Sequence, residues 1–171
     1  MARTIIYPGS FDPVTHGHLD IVQRAQNLFD EVVVAVSRNA AKNPLFTIEE
    51  RVELIREAAK GFAKPVEVTT FDGLLVDFAK KRGACATLRG LRAISDFEFE
   101  FQLALTNRHL SPQIETVFLM PRESYTYLSS SIVKEISSLD GPVTDFVPAH
   151  VEAALKAKFA ARKTSPPSPE R

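Results

Sequence analysis

Four places in this sequence gather residues able to handle phosphate. The first is Tyr7-Pro8-Gly9-Ser10-Phe11-Asp12-Pro13, followed closely by Thr15-His16-Gly17-His18. Ser10 offers a hydroxyl, and His18 an imidazole in what reads as the first turn of a helix. A helix N-terminus leaves amides without intrahelical partners and favours anions through its dipole. Gly9 and Gly17 would let the backbone approach a ligand. The second place is Arg89-Gly90-Leu91-Arg92. A guanidinium is permanently charged and meets phosphate with two parallel N–H bonds. The third is Tyr125-Thr126-Tyr127-Leu128-Ser129-Ser130-Ser131, where one serine suffices to cap a helix and the others supply further hydroxyls. The fourth is Lys42, ahead of Asn43-Pro44.

Each place also has a plainer reading: a turn, two solvated arginines, a helix cap, a surface lysine. His16 and His18 fit a surface pair or two metal ligands, though Cys85 is the only thiol available to join them. The glycine pattern is neither a Walker loop nor G-x-G-x-x-G. What favours function is shared placement, and that depends on the elements around these segments.

Short apolar runs alternate with amphipathic stretches. Residues 4–7, 32–36, 66–69, 84–88 and 116–119 read as strands. The continuous β-branched run at 32–36 is the mark of a strand covered on both faces. Helices are expected over about 17–30, from Thr47, over 74–82, near Ser129 and near Pro148. Thr47 and Glu50 form a capping-box pattern, and Ile48, Val52, Ile55 and Ala59 recur at helical spacing. Residues 96–102 alternate strictly, which is the strand period, but run on into Leu103, Ala104 and Leu105. We read this segment as a helix capped by Ser95 and Glu98, with one apolar face for the core and one for a partner subunit. Strand–helix alternation of this kind predicts a single-domain α/β fold, a doubly wound five-stranded parallel sheet. Ligands bind such sheets outside the carboxyl ends of the strands, and all four phosphate-capable segments fall at that end.

Composition narrows the field further. The chain has 171 residues, 44% hydrophobic and 25% charged, with 21 basic and 21 acidic side chains. That is an ordinary globule, large enough for a core without staples. Zero net charge argues against nucleic acid as a partner. One cysteine excludes an internal disulfide. No membrane span or signal peptide is expected, so the cytoplasm is the simplest location. The domain is expected over 1–162, with 163–171 as a Pro/Ser-rich disordered tail. Several phosphate-capable loops at one edge suggest a polyphosphate such as a nucleotide. No acidic cluster suggests a metal cage, so Mg2+ is expected to arrive with the nucleotide. No Ser–His–Asp or Cys–His spacing points to a covalent intermediate, which favours direct transfer between bound substrates. A non-catalytic nucleotide-binding module and an electron carrier remain compatible with the fold alone.

The strings YPGSFDPVTHGH, PLFTIEER after Lys42, LRGLRAISDFEFEFQLALTNRHL and VFLMP with YLSSSIVKE resemble the adenylyl- and cytidylyltransferase superfamily. They are most similar to its phosphopantetheine adenylyltransferase family. The match covers residues 3–159. It implies a Rossmann-like nucleotidyltransferase fold and transfer of an adenylyl group from ATP to 4′-phosphopantetheine, giving dephospho-CoA and pyrophosphate. It further implies CoA as feedback inhibitor and a homohexamer. By the same resemblance His18, Lys42 and Arg92 are catalytic. Ser10, Lys42, Leu75, Arg89, Asn107 and Glu135 would bind phosphopantetheine. Ser10, Phe11, His18, Gly90, Leu91, Arg92, Glu100, Tyr125, Thr126, Tyr127, Leu128, Ser129, Ser130 and Ser131 would bind ATP. Phe99 stands where some relatives carry Tyr, so one hydroxyl contact is missing. A sibling transferase with another acceptor is the nearest alternative, and the R-G-L-R segment with Lys42 argues against it.

Overall fold

A strand without a polar face must be covered twice, and Val32, Val33, Val34, Ala35 and Val36 are all buried. They form β2 (Glu31–Ser37) of a sheet in a computed structural model that describes residues 2–38, 43–92 and 94–164. With β1 (Thr4–Gly9), β3 (Glu67–Phe71), β4 (Ala86–Gly90) and β5 (Glu115–Leu119) it makes one parallel sheet in the order β3-β2-β1-β4-β5. Tyr7 lies beside Val34, Ile6 beside Thr87, and Leu88 beside Val117. Chain order therefore reverses between β1 and β4. Connections from these two strands leave in opposite directions, which opens a crevice at their carboxyl ends.

Among the described residues, six α-helices cover the sheet: α1 (His16–Ala25), α2 (Ile48–Ala59), α3 (Leu75–Lys81), α4 (Ile94–Leu110), α5 (Ser130–Ser138) and α6 (Ala149–Thr164). One face carries the larger core, where Ile5, Val34 and Val36 meet Ile21, Ile55, Val133, Val151 and Leu155. The other carries a smaller cluster of Ile6, Val33 and Ala35 against Ala79, Ala84 and Ile114. The expected α/β doubly wound architecture is present, and among the described residues no helix is long and apolar enough to cross a membrane.

Three boundaries differ from the sequence expectation. α1 stops at Ala25 rather than near Asp30, because Asn27 and Leu28 bond three residues back, to Arg24 and Ala25. Buried Gln26 is instead tied across the fold, donating to the Lys64 carbonyl at 2.8 Å and accepting from Lys64 Nζ at 2.6 Å. α4 begins at Ile94, so Ser95 lies inside the helix rather than capping it. The alternating phenylalanines are helical because parallel β4 and β5 need a crossover between them. α6 runs to Thr164, with Lys163 paired to Asp140, and residues 165–171 lie outside those described.

The expected capping box at Thr47 is present. Glu50 N donates to Thr47 Oγ1 at 3.2 Å, and Thr47 N donates to Glu50 Oε2 at 2.8 Å. It fixes the start of the helix that delivers buried Arg51 toward the site. Thr47→Ala should cost about 1 kcal/mol of folding stability, measured by urea unfolding. An unchanged midpoint would show that the cap does not hold α2.

Candidate active site

The crevice between the carboxyl ends of β1 and β4 is a cavity of about 330 Å³. Three of the four phosphate-capable segments meet there. Ser10, Phe11 and His18 line it from the first loop, Arg89, Gly90 and Arg92 from β4 and beyond, and Tyr125, Leu128, Ser129, Ser130 and Ser131 from the loop before α5. Lys42 lies outside the described residues. Among the described residues, no Asp or Glu lines the cavity, and no group of three or more acidic, histidine or cysteine side chains suits a metal.

The first loop is shaped by packing. Phe11 has φ of 48°, in the left-handed region that bulky residues rarely enter. Its buried ring meets Tyr7 at 5.3 Å and His18 at 5.1 Å, both edge to face. A Cβ on Gly9 would stand 2.8 Å from that ring. Gly9 must therefore be small to admit Phe11, and it also lines the cavity, as the sequence suggested.

α1 begins with a second capping box. Thr15 N donates to Nδ1 of His18 at 3.0 Å, and His18 N reaches Thr15 Oγ1 at 3.4 Å. His16 N donates to the Phe146 carbonyl at 2.9 Å. Of the amides at this helix start, those of His16 and His18 therefore have partners, while Gly17 lines the cavity beside the imidazole. Because Nδ1 accepts, the neutral ring carries its proton on Nε2. Burial, with Arg92 nearby, pulls His18 from its ordinary 6.5 down to about 4. At neutral pH the ring is therefore uncharged and offers an Nε2–H rather than a cation. His16 turns away and stacks on Tyr125 at 6.1 Å, so the two histidines do not converge on a metal.

Arg92 Nη1 donates to the Leu128 carbonyl at 2.7 Å, joining the arginine segment to the serine loop. Arg89 makes a two-bond pair with Glu100, at 2.6 Å from Nε and 2.5 Å from Nη2. The three serines divide their work. Ser129 Oγ accepts from Ile132 N at 3.1 Å as the cap of α5, Ser130 Oγ donates to the Pro13 carbonyl at 2.7 Å, and exposed Ser131 lines the cavity.

This geometry coincides with what the chain matches. Residues 6–136 fit the cytidylyltransferase-like family model. The phosphopantetheine adenylyltransferase of Caldanaerobacter subterraneus subsp. tengcongensis is 56% identical over 92% of this chain and 98% of its own length. That of Methylococcus capsulatus is 57% identical over 94% and 98%. The chain belongs to the phosphopantetheine adenylyltransferase family. At the level of fold alone, it also matches the Plasmodium falciparum nicotinic acid mononucleotide adenylyltransferase complexed with NaAD, with a TM-score of 0.66, 14% identity and coverage of 96% and 99%.

Other residues assigned through likeness to the phosphopantetheine adenylyltransferases lie apart from the cavity. Leu91 N bonds the Leu119 carbonyl at 2.9 Å. Glu100 reaches the site only through Arg89. Thr126 Oγ1 donates to the Glu123 carbonyl, and exposed Tyr127 packs edge-on against Phe146. Leu75 packs in the smaller core beside Phe71 and Phe78. Asn107 is half-buried on α4. Glu135 lines a separate cavity of about 270 Å³ with Asn43, Leu45 and Lys134.

Sequence reasoning missed the residues that hold the loops. Arg51, 2% exposed, donates to the Ser10 carbonyl at 2.9 Å. Buried Asp20 accepts from Arg24 Nε at 2.8 Å and from Arg122 N at 2.9 Å, anchoring the loop after β5 to α1. Asp12 binds Leu45, Phe46 and Lys134. The available signal was a charge at a helix position that packs inward.

The fold favours neutral His18, because the folded pKa lies below the ordinary one. That contribution is present above about pH 6.5 and is lost as pH falls toward 4. Nitrogen NMR of the imidazole should show the Nε2–H tautomer at pH 7 and titration near pH 4. A midpoint near 6.5, or the Nδ1–H tautomer, would contradict this account.

Proposed function

We propose that this protein reversibly transfers the adenylyl group of ATP to the phosphate of 4′-phosphopantetheine, releasing pyrophosphate and dephospho-CoA, within coenzyme A biosynthesis. The observation that carries the reading is a neutral Nε2–H donor, His18, fixed by its cap in a cavity that also holds two arginines and a serine loop. The identity of the family supplies the substrates.

A phosphate oxygen of the acceptor forms a bond to the α-phosphorus of ATP, and the bond from that phosphorus to the bridging oxygen of pyrophosphate breaks. The attacking group is already an anion, so no base is needed. The residues must hold two anions in line and stabilise charge on the phosphoryl oxygens. His18 donates through Nε2–H to an α-phosphate oxygen. Arg92 and Lys42 offset the charge. Arg89, with Lys42 and Ser10, holds the phosphate of phosphopantetheine, and Leu75, Asn107 and Glu135 contact its pantetheine arm. Phe11, Gly90 and Leu91 contact the nucleotide, Glu100 acts there beside Arg89, and residues 125–131 surround its phosphates. Mg2+ is carried on the triphosphate, since the cavity lining offers hydroxyls and cations rather than carboxylates; when bound it neutralises phosphate charge.

Pyrophosphate release from ATP with a panel of acceptors tests this reading. 4′-Phosphopantetheine should support release, Mg2+ should be required, and CoA should inhibit. His18→Ala should remain folded and lower turnover about 10²–10³-fold, the usual loss for one transition-state donor. Release with another acceptor only would move the protein to a sibling activity, and near-normal turnover would remove His18 from its role.

The protein works in the cytoplasm as a homohexamer. What supports assembly is α4, where Phe97, Phe99, Phe101 and Leu105 are all exposed and Phe97 stacks on Phe101. Phe97, Phe101 and Leu105 recur every four residues along one side of α4, with Phe99 on another, and such exposed apolar surface on one monomer marks an interface. Sedimentation should give about six times the 19.0 kDa chain mass; a monomer alone would sink the proposal.

A further inference from the structure

Asp12 is 3% exposed yet ionised, and each of its partners belongs to a different part of the chain. Its Oδ2 accepts from Leu45 N at 3.0 Å and from Lys134 Nζ at 2.8 Å, and its Oδ1 accepts from Phe46 N at 2.9 Å. These bonds outweigh the burial that opposes charge, and hold the carboxyl below the usual range. One side chain thus fastens three segments: the first loop, the segment after β2, and α5.

None of Asp12, Leu45, Phe46 or Lys134 lines the nucleotide cavity. Leu45 and Lys134 instead line the second cavity, together with Asn43 and Glu135. Asn43 directly follows Lys42 in the chain, and Glu135 directly follows Lys134. Lys42 and Glu135 are both on the acceptor side of the function proposed above. The larger cavity, where the two substrates' phosphates meet, has its own ties, Arg51 to the Ser10 carbonyl and Ser130 to the Pro13 carbonyl. The loop is therefore held twice, by separate bonds facing separate cavities, and only the smaller one takes the acceptor alone.

We propose, resting on that functional reading, that Asp12 is a positioning residue for the acceptor subsite, acting through Lys134, which lines that subsite and whose ammonium it holds in place. Asp12→Asn keeps the shape and turns one accepting oxygen into a donor facing an amide or an ammonium. Kinetics of the full-length folded variant should show KM for phosphopantetheine raised about tenfold or more, with KM for ATP within about twofold of wild type. Lys134→Gln should give the same split to a smaller extent, and Lys134→Arg should largely restore wild-type behaviour. A merely structural pair would lower the melting temperature without separating the two KM values. Equal rises in both, or no change in either, would overturn the proposal. If Asp12→Asn does not fold by circular dichroism, the Lys134 pair decides it on the same criterion. Wild-type protein that never accepts phosphopantetheine would instead overturn the functional reading, and this proposal with it.

Discussion

The amide of Thr15 donates to Nδ1 of His18, and that ring nitrogen has one lone pair to give. Committing it to a helix cap leaves the neutral imidazole a single arrangement, with the proton on Nε2. Ring orientation is set by the same bond, and by the edge contact with Phe11. The site's chemistry thus rests on a device normally used only to start a helix. A glutamate at this position would cap the helix equally well. It would also place a negative charge where a phosphate is to be received.

Around that ring, the charges are arranged by pairing rather than abundance. Arg89 is met by Glu100, Asp12 by Lys134, and Asp20 by Arg24 and Arg122. A cluster of bare cations would repel itself and cost stability in the empty protein. Pairing each with a partner lets the protein fold before substrate arrives, while the described residues of the cavity lining include no carboxylate.

Much of this was legible because its cause is local. The run Val32-Val33-Val34-Ala35-Val36 reads as a strand because no polar side chain interrupts it, and Thr47 with Glu50 reads as a cap because both partners lie within four residues. The doubly wound parallel sheet followed from alternation and handedness. What was not legible depends on distance. Asp12 and Lys134 are 122 residues apart, and Gln26 and Lys64 are 38 apart; neither pair leaves a periodic trace. The cap at Thr15 was missed because histidine in third position is not the usual Glu or Gln. The start of α4 was missed because Ser95 and Glu98 imitate a capping box one residue inside the helix.

Phe11 and Gly9 share one volume. The ring lies over the place where any side chain at residue 9 would begin, and it is held there by Tyr7 on one edge and His18 on the other. Residues 9 and 11 therefore behave as a single design variable. A library that randomises either one alone samples mostly clashes, whereas one that enlarges residue 9 while shrinking residue 11 explores sequences that single steps cannot reach.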